Sequence, residues 1–418
     1  MRDLEVVEIC AGAGGQALGL ELAGFHHRLA VELDPNAANT LRHNRDKNPK
    51  RAGWDIRTGD VADPEVWKPS EYEGVDLLAG GVPCPPFSIA GKQLGANDER
   101  DLFAWAVEQC AVVRPKALLL ENVRGLSMPR FTGYRQHVLD RLRELGYIAE
   151  WRLLHAKNFG VPQLRPRFVL VALQEEYVPF FRWTEFTEEA PTVGNTLLKL
   201  MSARGWKGAQ DWAAKAQGIA PTIVGGSKKH GGADLGPTRA KKAWQALAVD
   251  AHGVADEAPD EDASFDIGPK LTCAMVARIQ GWQDRWGWEF TGRKTSMYRQ
   301  IGNAFPPPVA KAVGDSIRRA LRKEGEFREV MPDRTVDRIY QLLRETDDFI
   351  AMPELIERSE MQSAEIEHRI SLLERDFVID IDETAPEPRY KMGSFKAFLG
   401  QEDHDRHERF LRARAQIS

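Results

Sequence analysis

The most distinctive chemical feature of the sequence is a cysteine flanked by prolines. Cys84 lies in the segment GGVPCPPFS (80–88), directly after the apolar run VDLLAGG. The prolines remove backbone freedom and hydrogen-bond donors, which makes packing in a core a poor explanation for this segment. A cysteine on a rigid, exposed loop after a buried strand is instead suited to act as a nucleophile.

One acidic and two basic side chains stand where they could assist such a nucleophile. Glu121 ends the apolar run KALLLEN, and Arg165 and Arg167 lie in QLRPR (163–167). Because the carboxyl ends of parallel strands share one edge of a sheet, we expect Glu121 to face the same crevice as Cys84 and to act as its acid partner. The arginines fit either a surface ion pair or the binding of a phosphate or base oxygen.

A glycine-rich segment, AGAGG (11–15), opens a helical pattern after the first apolar run. Gly12 and Gly14 would let backbone N–H groups approach a ligand, although such a segment is as often only a turn. Glu32, which ends the next apolar run, sharpens the prediction because a carboxylate there can accept both hydroxyls of a ribose. Asp60 fits either an acceptor for an adenine amino group or a helix N-cap.

These residues would be positioned by alternating strands and helices. Predicted strands cover residues 4–10, 28–33, 75–81, 116–122 and 167–173, with helices at 14–25, 35–44, 99–110 and 134–145. This alternation predicts an α/β fold with a Rossmann-like, doubly wound, mostly parallel sheet that carries helices on both faces.

Composition restricts the setting of this chemistry. The net charge of −5 argues against a nucleic-acid binder, but a charge averaged over the whole chain does not exclude local basic patches. The four cysteines are far apart, which predicts neither a disulfide framework nor a metal site. Acids in the first apolar run argue against a signal peptide, and no stretch approaches the ~20 apolar residues of a membrane span. We therefore expect a cytoplasmic, nucleoid-associated protein.

In order and spacing, these segments resemble the carbon-5 cytosine DNA methyltransferase family of prokaryotic type. EICAGAGG resembles the cofactor loop of that family, GGVPCPPFS its nucleophile loop, ENV its base-binding carboxylate and QLRPR its paired arginines. VARIQGW and QIGNAF resemble its late helix and its closing motif. The resemblance covers residues 4–320.

The resemblance implies a base-flipping transfer of a methyl group from S-adenosylmethionine to cytosine, with S-adenosylhomocysteine as product and no metal. It implies catalytic roles for Cys84, Glu121, Arg165 and Arg167. The cofactor would be bound by Cys10, Gly12, Gly14, Glu32, Leu33, Asp60, Pro83, Leu102 and Asn303. Cys10 departs from the family, which usually has phenylalanine at this position.

The resemblance also implies a division into domains and an interface with DNA. Catalytic segments at 1–173 and 269–325 would flank a target-recognition domain at 174–268. Double-stranded DNA would be contacted by Ser88, Gln163, Lys228, Lys229, His230, Arg239, Lys241 and Lys242. The basic run fits a groove-facing arm, although a charge run is often only a solvated face.

The extension at 330–418 shows patterns for three helices and a β-hairpin, which resemble a winged helix. Because its supposed recognition helix carries Glu365, Glu367 and Glu374, a protein partner or a dimer contact fits as well as DNA, and a stabilising cap is a further alternative.

Two other functions remain open. One is methylation of RNA, although the chain lacks the Cys-Phe-Thr segment of the tRNA-methylating relatives. The other is a non-catalytic DNA-binding regulator that acts through the extension. We expect a monomer whose biological partner is a restriction or defence system.

Overall fold

A computed structural model describes residues 3–82, 100–225, 233–329, 337–382, 384 and 386–395 of the chain. A seven-stranded sheet forms its centre, in the order β3-β2-β1-β4-β5-β7-β6. Its strands are β1 (Leu4–Ile9), β2 (Phe25–Glu32), β3 (Asp55–Thr58), β4 (Leu77–Gly80), β5 (Ala117–Val123), β6 (Tyr147–His155) and β7 (Pro166–Gln174).

The first five strands pair in parallel, whereas β7 runs antiparallel between β5 and β6. The predicted α/β class with a mostly parallel sheet is therefore confirmed. The sequence patterns did not predict β3, which is only four residues long, or the edge strand β6. The chain order reverses between β1 and β4, which is where open α/β sheets form a ligand crevice.

Helices cover both faces of this sheet, and two apolar clusters form its core. The helices that follow the central strands are α1 (Gly15–Leu22), α2 (Pro35–Lys47), α3 (Arg100–Val113) and α4 (Thr132–Glu144). A later helix, α10 (Pro307–Leu321), packs against α1, where Gly19 leaves room for the backbone of α10.

Between β7 and α10 lies a group of shorter helices with an apolar cluster of its own. They are α5 (Val193–Met201), α6 (Ala209–Lys215), α7 (Thr238–Gln245), α8 (Cys273–Ile279) and α9 (Lys294–Asn303). Trp206, Trp212 and Trp244 are buried in this cluster, which explains the tryptophan content of a region that lacks a strand rhythm.

The last described elements form a separate apolar cluster. They are α11 (Arg338–Arg344), β8 (Ile350–Ala351), α12 (Met352–Ser359), α13 (Ser363–Leu373), β9 (Phe377–Asp382) and β10 (Arg389–Phe395), and we call them the C-terminal module. The three strands form an antiparallel sheet in the order β8-β10-β9. The three helices and the hairpin expected from the sequence are present.

The C-terminal module packs against α4. Gly133 lies directly under Leu373, where a Cβ atom would overlap the leucine side chain. The ring of His137 lies 4.3 Å from that of Phe395. The Tyr340 hydroxyl donates a hydrogen bond to Asp140 (2.9 Å), so the contact has both apolar and polar parts.

No helix among the described residues is long and apolar enough to cross a membrane. The same residues contain no cluster of three or more histidine, cysteine or acidic side chains that could hold a metal ion.

Candidate active site

A cleft of about 990 Å³ lies at the carboxyl ends of β1, β2, β4 and β5. Predicted site residues from distant parts of the chain share its wall: Cys10, Gly12, Glu32, Leu33, Asp60, Leu102, Glu121, Arg165, Arg167 and Asn303. The structure thus brings together ten of the residues selected from the sequence.

Glu32 is held at one end of the cleft by backbone donors. The N–H of Gly12 donates to its Oε2 (2.7 Å) and the N–H of Asp34 donates to its Oε1 (2.8 Å). Gly12 has φ of +56°, which turns its N–H towards β2 at a conformation that glycine adopts at little cost. Burial raises the pKa of Glu32, and these hydrogen bonds oppose that shift. Each oxygen has a further lone pair for a ligand hydroxyl.

The neighbouring wall combines an apolar and an acidic side chain. Leu33, directly after Glu32, is 61% exposed although it is a large apolar residue. The Oδ1 atom of Asp60 accepts a hydrogen bond from the N–H of Ala62 (3.0 Å), which closes a local turn. The open face of Leu33 and the remaining Asp60 oxygen are suited to a flat heterocycle that carries an amino group.

Gly14 is not among the residues that line the cleft, and its predicted contact with the cofactor stays a prediction. A Cβ atom at this position would overlap the indole of Trp288, and the Trp288 Nε1–H donates to the carbonyl of Ala13 (3.2 Å). Trp288 also packs against Trp282, with ring centroids 5.5 Å apart. Trp288 therefore supports the glycine loop from behind.

Glu121 and Arg167 form an ion pair in the opposite part of the cleft. The Arg167 Nε atom lies 2.6 Å from Glu121 Oε1, but the N–H is not directed along that line, so the contact is ionic rather than a well-formed hydrogen bond. Burial raises the pKa of Glu121, and the positive charges of Arg167 and Arg165 partly oppose this. Burial thus makes the protonated form of Glu121 more accessible than in water, which suits a group that donates a proton to a bound base.

Arg165 is 1% exposed, and its guanidinium is committed to main-chain carbonyls. It donates to the carbonyls of Ile223 (2.7 Å), Gly302 (2.7 Å) and Ala304 (3.0 Å). Arg165 therefore ties the segment before α7 to the end of α9. Its terminal N–H groups thus position the cleft wall, and its predicted catalytic contact stays a prediction.

Gln163 is fully buried, which contradicts its predicted contact with DNA. Its Nε2 donates to Gln280 Oε1 (2.6 Å), and its Oε1 accepts from the N–H of Ile223 (2.9 Å). Both ends of the amide are thus engaged inside the protein. Gln163 supports the same wall as Arg165.

Two residues beside the end of β4, where the chain leads towards the proposed nucleophile, were not predicted to contribute. The Asn122 side chain donates to the carbonyl of Val82 (3.3 Å), which is the last described residue before Cys84. A Cβ atom at Gly81 would lie 3.6 Å from Glu121 Oε2. The chain therefore leaves β4 beside the Glu121 carboxylate. The motif Glu121-Asn122-Val123 contained this information, but only its carboxylate was interpreted.

Three of the predicted basic residues, Arg239, Lys241 and Lys242, lie on the helix α7. Arg239 and Lys242 are exposed on α7, which Trp244 anchors in the core. Lys241 pairs with Asp234 (2.9 Å). A rigid helix thus presents two of these three basic side chains to solvent.

Several predicted residues lie outside the described part of the chain. These are Pro83, Cys84, Ser88, Lys228, Lys229 and His230.

Comparison with known proteins decides the family. The C-5 cytosine-specific DNA methylase family matches residues 4–319. The chain belongs to this family. It is 65% identical to the Type II methyltransferase M.NaeI of Lentzea aerocolonigenes over the full length of both chains. It is 50% identical to M.NgoMIV of Neisseria gonorrhoeae over 76% of this chain and 98% of that protein.

The solved structures agree on the fold. The methyltransferase EhMeth of Entamoeba histolytica superposes with a TM-score of 0.51 at 13% identity, over 76% of this chain and 98% of that one. The last elements of our chain, α11 to β10, follow the end of the family match at residue 319.

The C-5 cytosine-specific DNA methylases take their methyl group from S-adenosylmethionine, and the cleft fits that cofactor. A ribose diol needs acceptors, which the backbone-anchored Glu32 carboxylate provides. An adenine ring needs an apolar face and an acceptor for its amino group, which the exposed Leu33 and Asp60 provide on the same wall.

Proposed function

We propose that this DNA cytosine methyltransferase modifies carbon 5 of a cytosine flipped out of a short double-stranded sequence, through a covalent bond to Cys84. One observation carries the proposal: the Glu121–Arg167 pair lines the cleft beside Gly81, three residues before Cys84. A nucleophile, an acid and a cation for the base oxygen would then surround one ring.

The chemistry follows from the weak nucleophilicity of cytosine carbon 5. The Cys84 thiolate forms a bond to carbon 6, and the electron pair displaced from the 5,6 double bond makes carbon 5 nucleophilic. Glu121, whose pKa is raised by burial, donates its proton to ring N3 as this charge develops. Arg167 stabilises the base oxygen. When bound, S-adenosylmethionine supplies the methyl group. Transfer of the carbon-5 proton to a base then restores the double bond and expels the thiolate, and N3 returns its proton to Glu121.

The other wall of the cleft would hold the cofactor and release S-adenosylhomocysteine. Glu32 accepts the two ribose hydroxyls, Asp60 accepts from the adenine amino group, and Leu33 covers one face of the adenine. The resemblance to the family implies that the same wall would also include Pro83, Leu102 and Asn303.

DNA recognition is assigned to residues 174–268. Arg239 and Lys242 are exposed on α7, and the basic run that includes Lys228, Lys229 and His230 precedes this helix. Phosphate contacts from such side chains would fix the register of the duplex, and a few neighbours would read bases. Ser88 would contact the duplex from the nucleophile loop.

For the C-terminal module we favour a stabilising or protein-binding role over DNA binding. Residues 337–395 contain about twice as many acidic as basic residues, which repels a phosphate backbone. The module would then share the order of helices and strands of a winged helix without sharing its binding to DNA. Because its relatives are Type II methyltransferases, we propose that this enzyme protects DNA alongside a restriction endonuclease.

The test is expression of wild type and Cys84→Ala in a bacterial host that lacks cytosine methylation, followed by bisulfite sequencing of the genome. We expect methylation at one short motif with wild type and none with the variant. Absence of methylation with soluble wild type would overturn the proposal and favour RNA or a regulatory function. Methylation that persists in Cys84→Ala would refute the covalent step alone.

A further inference from the structure

Gln16, in the first turn of α1, is buried without satisfying its side chain. The residue is 3% exposed. Neither its Nε2 nor its Oε1 has a hydrogen-bond partner among the described residues, and it lines the cleft. A buried primary amide has two donors and an acceptor oxygen, and leaving all of them unpaired is costly. The cost is recovered if a ligand completes the site.

Other buried amides around the cleft are satisfied, which makes Gln16 an exception. The Oε1 of Gln300 accepts from Thr40 (2.6 Å), and its Nε2 donates to the carbonyl of Thr291 (2.9 Å). Gln280 and Gln163 bond to each other. Unpaired side-chain amides are therefore not a general feature of the buried residues around this cleft.

The position of Gln16 selects one part of the cofactor. The Gly12 N–H donates to Glu32, which is the proposed ribose ligand. The ribose end of the cleft therefore lies at the start of the glycine loop. Gln16 follows this loop, and its neighbour Gly15 packs directly against the backbone of Phe305 after α9. At this point the first N–H groups of α1 also lack helical partners and favour an anion.

We infer that the Gln16 amide binds the amino-acid end of S-adenosylmethionine. That end carries an α-carboxylate, which needs donors, and an α-ammonium, which needs an acceptor. A primary amide supplies both, whereas a purely apolar residue at this position would supply neither. This inference deepens the proposed function and depends on the cofactor assigned there.

The experiment compares two ligands that differ only in this end. Isothermal titration measures the affinity of wild type and Gln16→Leu for S-adenosylhomocysteine and for 5′-methylthioadenosine, which lacks the amino-acid part. We expect Gln16→Leu to weaken S-adenosylhomocysteine binding by roughly ten- to hundredfold, because hydrogen bonds to charged groups are lost. Binding of methylthioadenosine should change less than about twofold.

A second measurement tests the unliganded protein. Because leucine removes an unpaired buried amide, the melting temperature of Gln16→Leu without ligand should equal or exceed that of wild type. Gln109→Leu is the matched control, since Gln109 is also buried with an unpaired Oε1 but lies on α3, away from the cleft wall. It should change neither affinity.

The outcomes separate the claims. If Gln16→Leu weakened the affinity for both ligands by the same factor, Gln16 would only shape the glycine loop. If neither affinity changed, Gln16 would not contact the ligand. Either result would overturn the inference. If wild type binds neither ligand, the cofactor assignment in the proposed function fails first.

Discussion

The two halves of the cleft are built in different ways. The cofactor half, formed by Gly12, Glu32 and Asp60, comes from the ends of three successive strands, and backbone N–H groups orient its carboxylate. The base half, formed by Glu121, Arg165 and Arg167, depends on carbonyls more than fifty residues away in the chain. The first half is a local construction, whereas the second requires the completed fold. Substitutions should therefore affect the two halves differently.

The largest effect is expected for Glu121→Gln. Glutamine keeps the size of the side chain but cannot donate a carboxylic proton, so the methylation rate should fall by about 10³-fold. Single-turnover methylation of an oligonucleotide measures this. Affinity for S-adenosylhomocysteine should stay within about twofold of wild type, because the cofactor half is untouched. If the methylation rate and the affinity for S-adenosylhomocysteine fell by the same factor, the two halves of the cleft would not act independently.

The next effect is on stability and comes from Arg165→Leu. The substitution removes the Arg165 donors from the buried carbonyls of Ile223 and Gly302, whereas the Ala304 carbonyl keeps its hydrogen bond from Gln280 Nε2, and we expect a loss of about 3 kcal/mol in the free energy of unfolding. Urea denaturation followed by circular dichroism gives this value. Arg239→Leu, on the exposed face of α7, is the control and should cost less than about 0.5 kcal/mol. A similar cost for both variants would contradict the bridging role.

The next substitution, Glu32→Gln, tests the cofactor half of the cleft. An amide can accept only through its oxygen, so one of the N–H groups of Gly12 and Asp34 would face an NH₂ group. Affinity for S-adenosylhomocysteine should fall roughly thirtyfold, which corresponds to about 2 kcal/mol, by isothermal titration. Cross-linking of Cys84 to a 5-fluorocytosine duplex would show whether the base half still works when cofactor is saturating. Unchanged affinity would exclude the ribose contact.

The smallest effect lies outside both halves, at His137 on α4. Burial against the C-terminal module lowers the pKa of His137 from 6.5 to about 4. The unfolded chain therefore binds a proton that the folded chain excludes between pH 6.5 and 4, so stability falls as the pH falls through this window. We expect about 1–2 kcal/mol of extra loss by pH 4.5 in wild type relative to His137→Phe, measured by urea denaturation at each pH. Parallel pH profiles would refute the contribution.

The same contrast explains what could be predicted from the sequence. Strands β1, β2, β4, β5 and β7 follow from apolar runs. The residues that follow β1, β2, β4 and β5 were identified because a parallel sheet gathers these strand ends at one edge, and the antiparallel β7 brings Arg167 to the same edge at its start. The short β3 and the half-exposed β6 lack a strong pattern.

The supporting bonds of Gln163 and Arg165 could not be predicted because their partners are distant main-chain atoms and a distant glutamine. The residue type alone does not distinguish a polar side chain that supports a site from one that contacts a ligand. The supporting roles of Trp288 and Asn122 were missed for the same reason, since both depend on carbonyls that only the fold brings near.

The contact between the C-terminal module and α4 has a consequence for the history of the chain. Gly133 leaves the space that Leu373 fills, and the His137 and Tyr134 rings lie against Phe395. A descendant that lost these last elements would uncover an aromatic, glycine-indented helix face and become prone to aggregate. Several substitutions on α4 would have to come first. The module is therefore hard to lose as long as α4 keeps this face, although none of its described residues lines the cleft.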